Sequence, residues 1–150
     1  MALSNKFNFR CVIDRIPPHI TIKSPFDSDN ISSVKSIIKE FVKNHRPTNL
    51  TLKGFNSFHK KIIFIDVKPS KEMIYNIIEL NKKLKKLNIE WSRYDDLPTP
   101  HATIAYADKN FEEAIEFLSK YDPKFELLFD NIAILKHNKV WEVETVYEIS

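Results

Sequence analysis

Glycine is almost missing from this chain: Gly54 stands alone among 150 residues. A phosphate-cradling loop or a dinucleotide-binding turn needs several glycines so that the main chain can approach its ligand, and both are therefore excluded. Cysteine is equally scarce, with only Cys11. No intramolecular disulfide can form, which fits a reducing, cytoplasmic setting. No apolar run approaches the ~20 residues that a bilayer-spanning helix needs, and residues 1–10 lack the apolar centre of a signal peptide, so no membrane partner is expected. The chain has no HExxH, no paired-cysteine knuckle, no EF-hand loop and no closely spaced histidine pair, so it predicts no metal and no cofactor. Any phosphate chemistry must be done by side chains.

An excess of one charge is lacking too. With 23 Lys and Arg against 20 Asp and Glu, the net charge is only +3, which hints at an anionic partner and equally suits plain solubility. Hydrophobic residues make up 43% of the chain and aromatic residues 12%, enough for one respectable core and too little for several independent domains.

What is present is a phrase said twice: His19-Ile20-Thr21-Ile22 and His101-Ala102-Thr103-Ile104, the first behind Pro17-Pro18 and the second behind Pro98-Thr99-Pro100. On an extended strand side chains alternate faces, so His19, Thr21 and Lys23 are expected on one face, and His101 and Thr103 on one face of a second strand. Each strand then offers an imidazole with a hydroxyl about 7 Å along. A histidine takes up or releases a proton near neutral pH, and two of them supply a base and an acid.

The surrounding pattern repeats as well. Ile31, Val34, Ile37, Ile38, Phe41 and Val42 have helical spacing behind the cap candidates Ser28, Asp29 and Asn30, and this helix should end near His45-Arg46. Residues 50–55 and 62–67 read as strands around a turn at His59-Lys60. A second helix, residues 70–87, carries Met73, Ile77, Leu80, Leu84 and Leu87, with Lys82, Lys83, Lys85 and Lys86 toward its end. After the second phrase, Asn110 and Glu113 suggest a capping box for a helix with Phe111, Ala114, Ile115 and Leu118. Residues 125–135 and 140–149 read as a closing hairpin that turns at 137–139. The stretch 93–99, with Asp95-Asp96, reads as the nearest thing to a flexible segment. The expected fold is α+β: one domain over 1–150 in two lobes, about 16–68 and 98–150, each a strand-helix-strand-strand unit, with helix 70–87 between them, two antiparallel sheets facing a central groove, and helices outside.

These residues resemble the two-histidine (2H) phosphoesterases, which include the RNA 2′,3′-cyclic phosphodiesterases and RNA ligase-like proteins. The likeness runs from about Ile16 to the C-terminus, includes Pro18 to Phe26, and is nearest to the small bacterial members assigned only as phosphoesterases. It implies two motifs facing across a groove, with metal-independent hydrolysis of a cyclic phosphodiester on RNA or a nucleotide. By motif position His19 and His101 are the implied catalytic pair, and Thr21 and Thr103 the donors to phosphate. Family members usually begin with an apolar strand and a helix before the first motif. Here only Val12 and Ile13 are strand-like before His19, so that first strand is expected to be missing and a sheet edge left open.

Substrate-binding candidates outside the motifs are Lys23, as a cation for the phosphate or a solvated rim lysine, and Phe58 and Tyr106, as base-stacking or core aromatics. Phe26 is expected in the core, while His45, His59 and His137 fall at helix ends or turns and are expected to be solvated. Lysines 82–86 suit a solvated helix face or an RNA backbone. Besides the cyclic phosphodiesterase, two readings stay open: an RNA-binding module without turnover, and a hydrolase of a non-RNA cyclic phosphate.

Overall fold

A computed structural model describes residues 10–12, 15–96, 99–107 and 109–150, with Arg10 and Cys11 described by backbone alone. Ile13 and Pro98, invoked above, lie outside the described residues, as does the stretch 1–9.

Local chemistry sets the helix starts. Of three polar residues ahead of the first helix, Asn30 becomes the cap: its side-chain oxygen accepts from the Ser33 N–H at 3.4 Å and from the Ser32 and Ser33 hydroxyls at 3.0 Å. Helix α1, Ile31–Asn44, then ends at His45, which returns to extended backbone ahead of Pro47. Ser70 caps α2, Lys71–Lys85, through a bond from the Met73 N–H at 3.1 Å. Helix α3, Arg93–Asp96, is a single turn where the sequence suggested a flexible stretch. Helix α4, Phe111–Leu118, has Asn110 as its cap, but the expected capping box does not form. Asn110 is left-handed at φ 59° and its side chain makes no capping bond. Among the described residues no helix is long and apolar enough to cross a membrane.

Among the described residues, seven strands build two antiparallel sheets, in keeping with an α+β fold. They are β1 (Arg10–Cys11), β2 (Thr48–Phe58), β3 (Ile62–Pro69), β4 (His101–Tyr106), β5 (Lys124–Phe129), β6 (Asn131–Asn138) and β7 (Val140–Glu148). The larger sheet has the order β1-β4-β3-β2-β5, and β6 pairs with β7 in the other. The larger sheet interleaves the two halves of the chain, since β4 and β5 flank β3 and β2. The long strand expected over 125–135 is divided at Asp130, and its two pieces enter different sheets. A short β1 lies against Tyr106 and Ala105, where the sequence offered little strand material.

His59 and Lys60 make the β2–β3 turn with φ of 51° and 53°, and Gly54, at φ 76°, sits where β2 carries an extra residue opposite β3.

One face of the larger sheet is covered by helices. Leu50 and Val67 join Val34, Ile38, Phe41, Met73, Ile77, Leu80 and Leu84 of α1 and α2 in the main core, to which β6 and β7 add Ile132 and Tyr147. Ile63 and Ala105 pack with Ala114 and Leu118 of α4 in a second cluster. Phe41, Ile63, Met73, Ile77 and Leu80 are the largest fully buried side chains, each worth about 1.5–3 kcal/mol of burial. Phe26 packs against the main core, as expected.

Candidate active site

The face of the larger sheet turned away from these helices carries the second motif. Cross-strand partners share a face, and β4 pairs Asp66 with His101, and Phe64 with Thr103. The ladder then slips by one residue, because Ile63 faces Ala105 and Ile62 faces Tyr106. This extra β4 residue turns Ala105 toward α4 and returns Tyr106 to the face of His101 and Thr103, where strict alternation would have sent it to the other side. Phe58, opposite Ile62, stands on that face too. His101, Thr103, Phe58, Phe64 and Tyr106 therefore share one surface.

Rings brace the imidazole of His101. Phe58 meets it edge-on at 5.0 Å between centroids, Phe64 lies 5.2 Å away, and the two phenyl rings are 4.3 Å apart. Phe64 is buried, Phe58 half-buried and Tyr106 exposed. Below the ring, His101 Nδ1 lies 2.8 Å from the Thr99 carbonyl. A carbonyl only accepts, so Nδ1 carries the hydrogen and Nε2 is left for other chemistry.

The first motif is built differently. Residues 19–23 form no strand, contrary to the expectation from the repeated phrase. The segment does alternate, since Ile20 and Ile22 pack on the main core while Thr21 is exposed, but it joins no ladder among the described residues. Bonds to the segment and its flanks come from elsewhere: the Trp141 N–H of β7 donates to the Arg15 carbonyl at 3.1 Å, the Asn81 amide of α2 to the Ile22 carbonyl at 2.9 Å, and the Ser24 N–H to Asp95 at 2.7 Å. His19 nevertheless repeats the local geometry of His101. Its Nδ1 lies 2.8 Å from the Pro17 carbonyl, again two residues back. Both motif histidines hold Nδ1–H against their own chain and keep Nε2 for chemistry.

Lys23 differs from the sequence expectation. Alternation along a strand puts it on the face of His19 and Thr21, within reach of a phosphate or solvated at the rim. Its side chain is instead buried, with Nζ 3.0 Å from the Asp95 carboxylate and side-chain exposures of 7% and 2%. The ammonium also donates to the Ser24 carbonyl at 2.9 Å and lies 5.0 Å from the Trp91 ring. Burial alone would raise the Asp95 carboxyl, but the Ser24 and Ser92 N–H groups and Lys23 outweigh it and hold the group below the usual carboxylate range.

Sequence reasoning missed Asp95, Asn81 and Trp91. A signal for Asp95 was present: Ser92-Arg93-Tyr94-Asp95 is a Ser-x-x-Asp capping box, in which the Ser92 N–H donates to Asp95 at 2.8 Å and the Tyr94 N–H to the Ser92 hydroxyl at 3.3 Å. Asn81 gave no such signal, because an asparagine in a helix reads as an ordinary exposed position.

Of the other histidines, His59 and His137 are exposed in turns or at a strand end, while His45 is not simply solvated. It donates from Nδ1 to the Phe41 carbonyl at 2.8 Å, and its Nε2 lies 3.2 Å from Glu79, tying α1 to α2. The lysine cluster is partly spent on acids as well, with Lys83 at Glu40 and Lys85 at Asp96. Among the described residues no three His, Cys, Asp or Glu side chains are grouped to hold a metal ion.

Comparison with known proteins gives concordant results. The sequence model of the 2'-5' RNA ligase superfamily matches residues 6–141. A Bacillus licheniformis protein provisionally named a phosphoesterase is 28% identical over 141 residues, spanning 89% of this chain and 79% of its own length. A Geobacillus protein with the same provisional name is 31% identical over 146 residues, spanning 89% and 77%. The crystal structure of TT0787 of Thermus thermophilus shares the fold, with a TM-score of 0.65 over 90% of this chain and 81% of that one, at 14% identity.

Proposed function

The chain belongs to the 2'-5' RNA ligase superfamily, and from that premise we propose that it is a phosphoesterase which opens a 2′,3′-cyclic phosphate on an RNA end or a nucleotide, with His19 and His101 as its acid/base pair. One observation carries the reading: both imidazoles bond Nδ1–H to the carbonyl two residues back, which leaves two equivalent Nε2 atoms for proton transfer.

The chemistry follows from that arrangement. One Nε2 takes a proton from water as its oxygen attacks phosphorus. The other histidine, as imidazolium, gives its Nε2 proton to the departing ribose oxygen, so the cyclic diester becomes a monoester beside a free hydroxyl. The Nδ1–H bond to a carbonyl is compatible with both protonation states, so neither ring must turn during the cycle. Hydroxyls of Thr21 and Thr103 donate to the non-bridging oxygens as negative charge builds on them. The exposed ring of Tyr106, on the face of His101, gives a base a surface to stack on.

The test is hydrolysis of a 2′,3′-cyclic nucleotide by purified protein in excess EDTA, followed over pH. A bell-shaped profile is expected, with losses of about 10²- to 10⁴-fold in kcat for His19→Ala and for His101→Ala. Full turnover by either variant, or salt-sensitive RNA binding with no turnover by the wild type, overturns the reading.

A further inference from the structure

A buried polar cluster outside the motifs holds the first motif to the segment that leads into the second. The Asn81 side-chain amide donates to two carbonyls, Ile22 at 2.9 Å and Asp95 at 3.0 Å. Ile22 follows Thr21 directly, and Asp95 stands on α3, just ahead of the Thr99 carbonyl that orients His101. The Asp95 carboxylate makes the same connection from its side. One oxygen accepts from the Ser24 N–H at 2.7 Å, and the other from Lys23 Nζ at 3.0 Å and the Ser92 N–H at 2.8 Å. Asn81 and Asp95 are each 3% exposed.

The cost of such a cluster argues for a purpose. A buried ion pair seldom adds stability over an apolar pair of the same shape, because both charges lose their water. What it fixes is geometry, because each bond has one direction and one partner. Here the geometry is that of a segment with no ladder. Residues 19–23 are held by apolar packing of Ile20 and Ile22 and by these polar brackets.

We propose that Asp95, with Lys23 and Asn81, is a positioning residue that sets the two histidine segments relative to each other. The proposal rests on the functional reading given above. Asp95 makes no hydrogen bond to either imidazole, and it acts by fixing the chain that carries His19 and the start of the chain that carries His101. Reaction rates respond steeply to such placement, and an error of about 1 Å can cost on the order of 100-fold.

The experiment compares wild type with Asp95→Asn and with the double variant Lys23→Met/Asp95→Asn, which removes both charges and remains testable if the single variant fails to fold. Each is assayed on a 2′,3′-cyclic nucleotide at a temperature where circular dichroism shows it folded. A fall in kcat of about 10- to 100-fold with little change in KM is expected, and Lys23→Arg should retain more activity than Lys23→Met. In parallel, the ring resonances of His19 and His101 should shift in the variants while those of His45 and His59 stay in place. Wild-type kcat in both folded variants, together with unmoved His19 and His101 resonances, overturns the proposal. If the wild type itself opens no cyclic phosphate, the functional reading falls and the resonances alone decide the positioning role: movement of either motif histidine supports it, and stillness of both ends it.

Discussion

Phe58 stands edge-on to His101, with ring planes at 88° and centroids 5.0 Å apart. The contact spans two strands that are not neighbours, because β3 lies between β2 and β4, and Phe64 on β3 fills the gap. Phe58 thus has a structural partner in the imidazole whatever else it touches.

Replacing Phe58 with Leu should lower stability by about 1 kcal/mol, the usual worth of an aromatic pair beyond its burial. Phe64→Ala should cost about 3–5 kcal/mol, since that ring is buried. Urea denaturation midpoints with unchanged slopes check both. A Phe58→Leu protein as stable as wild type would show that the ring contact contributes nothing.

The two Nδ1–H bonds fix a tautomer. At a pH where the rings are neutral, nitrogen-15 spectra should show His19 and His101 with hydrogen on Nδ1, and exposed His59 should show no such bias. Observation of Nε2–H neutral rings at the two motifs would remove the acceptor atoms on which the acid/base reading depends.

Asp95 predicts a sign for pH dependence. Its folded-state affinity for protons is lowered, so its contribution is complete above the ordinary carboxylate value of 3.8 and is lost as pH falls through the lower folded value. Asp95→Asn leaves Lys23 buried without its partner, which should cost about 3–5 kcal/mol near neutral pH. The gap between wild type and variant should then narrow in acid. Thermal midpoints from pH 7 down to 2 check this, and a gap that widens as pH falls contradicts it.

Two helix starts that look alike in sequence should respond oppositely. Ser70→Ala removes a real cap bond and should cost about 1 kcal/mol. Asn110→Gly removes no cap bond and relieves a left-handed backbone, so it should be neutral or stabilising by a few tenths of a kcal/mol. Melting temperatures of the two variants, measured in one buffer, decide the matter.

Helix periodicity made α1, α2 and α4 legible because their apolar stripes and caps are local properties. The turn at His59-Lys60 was legible for the same reason. Strand extent was less so: Asp130 divides what reads as one run, since alternation cannot say which sheet each piece will join. The second motif lay on the strand its pattern predicts. The first did not, because a strand exists only when another strand supplies its ladder.

Residue order was enough for the α+β class, the two His-x-Thr phrases, the helices that cover the sheet, and the exclusion of glycine-loop nucleotide binding. Those follow from residue identity and short-range spacing, which act within a few positions along the chain. Tertiary structure alone decided that Lys23 would turn inward to Asp95, that a slipped ladder would bring Tyr106 onto the face of His101, and that Asn81 would hold two distant carbonyls. Each depends on which groups folding brings within about 3 Å, and hydrogen bonds and ion pairs are made only over that distance.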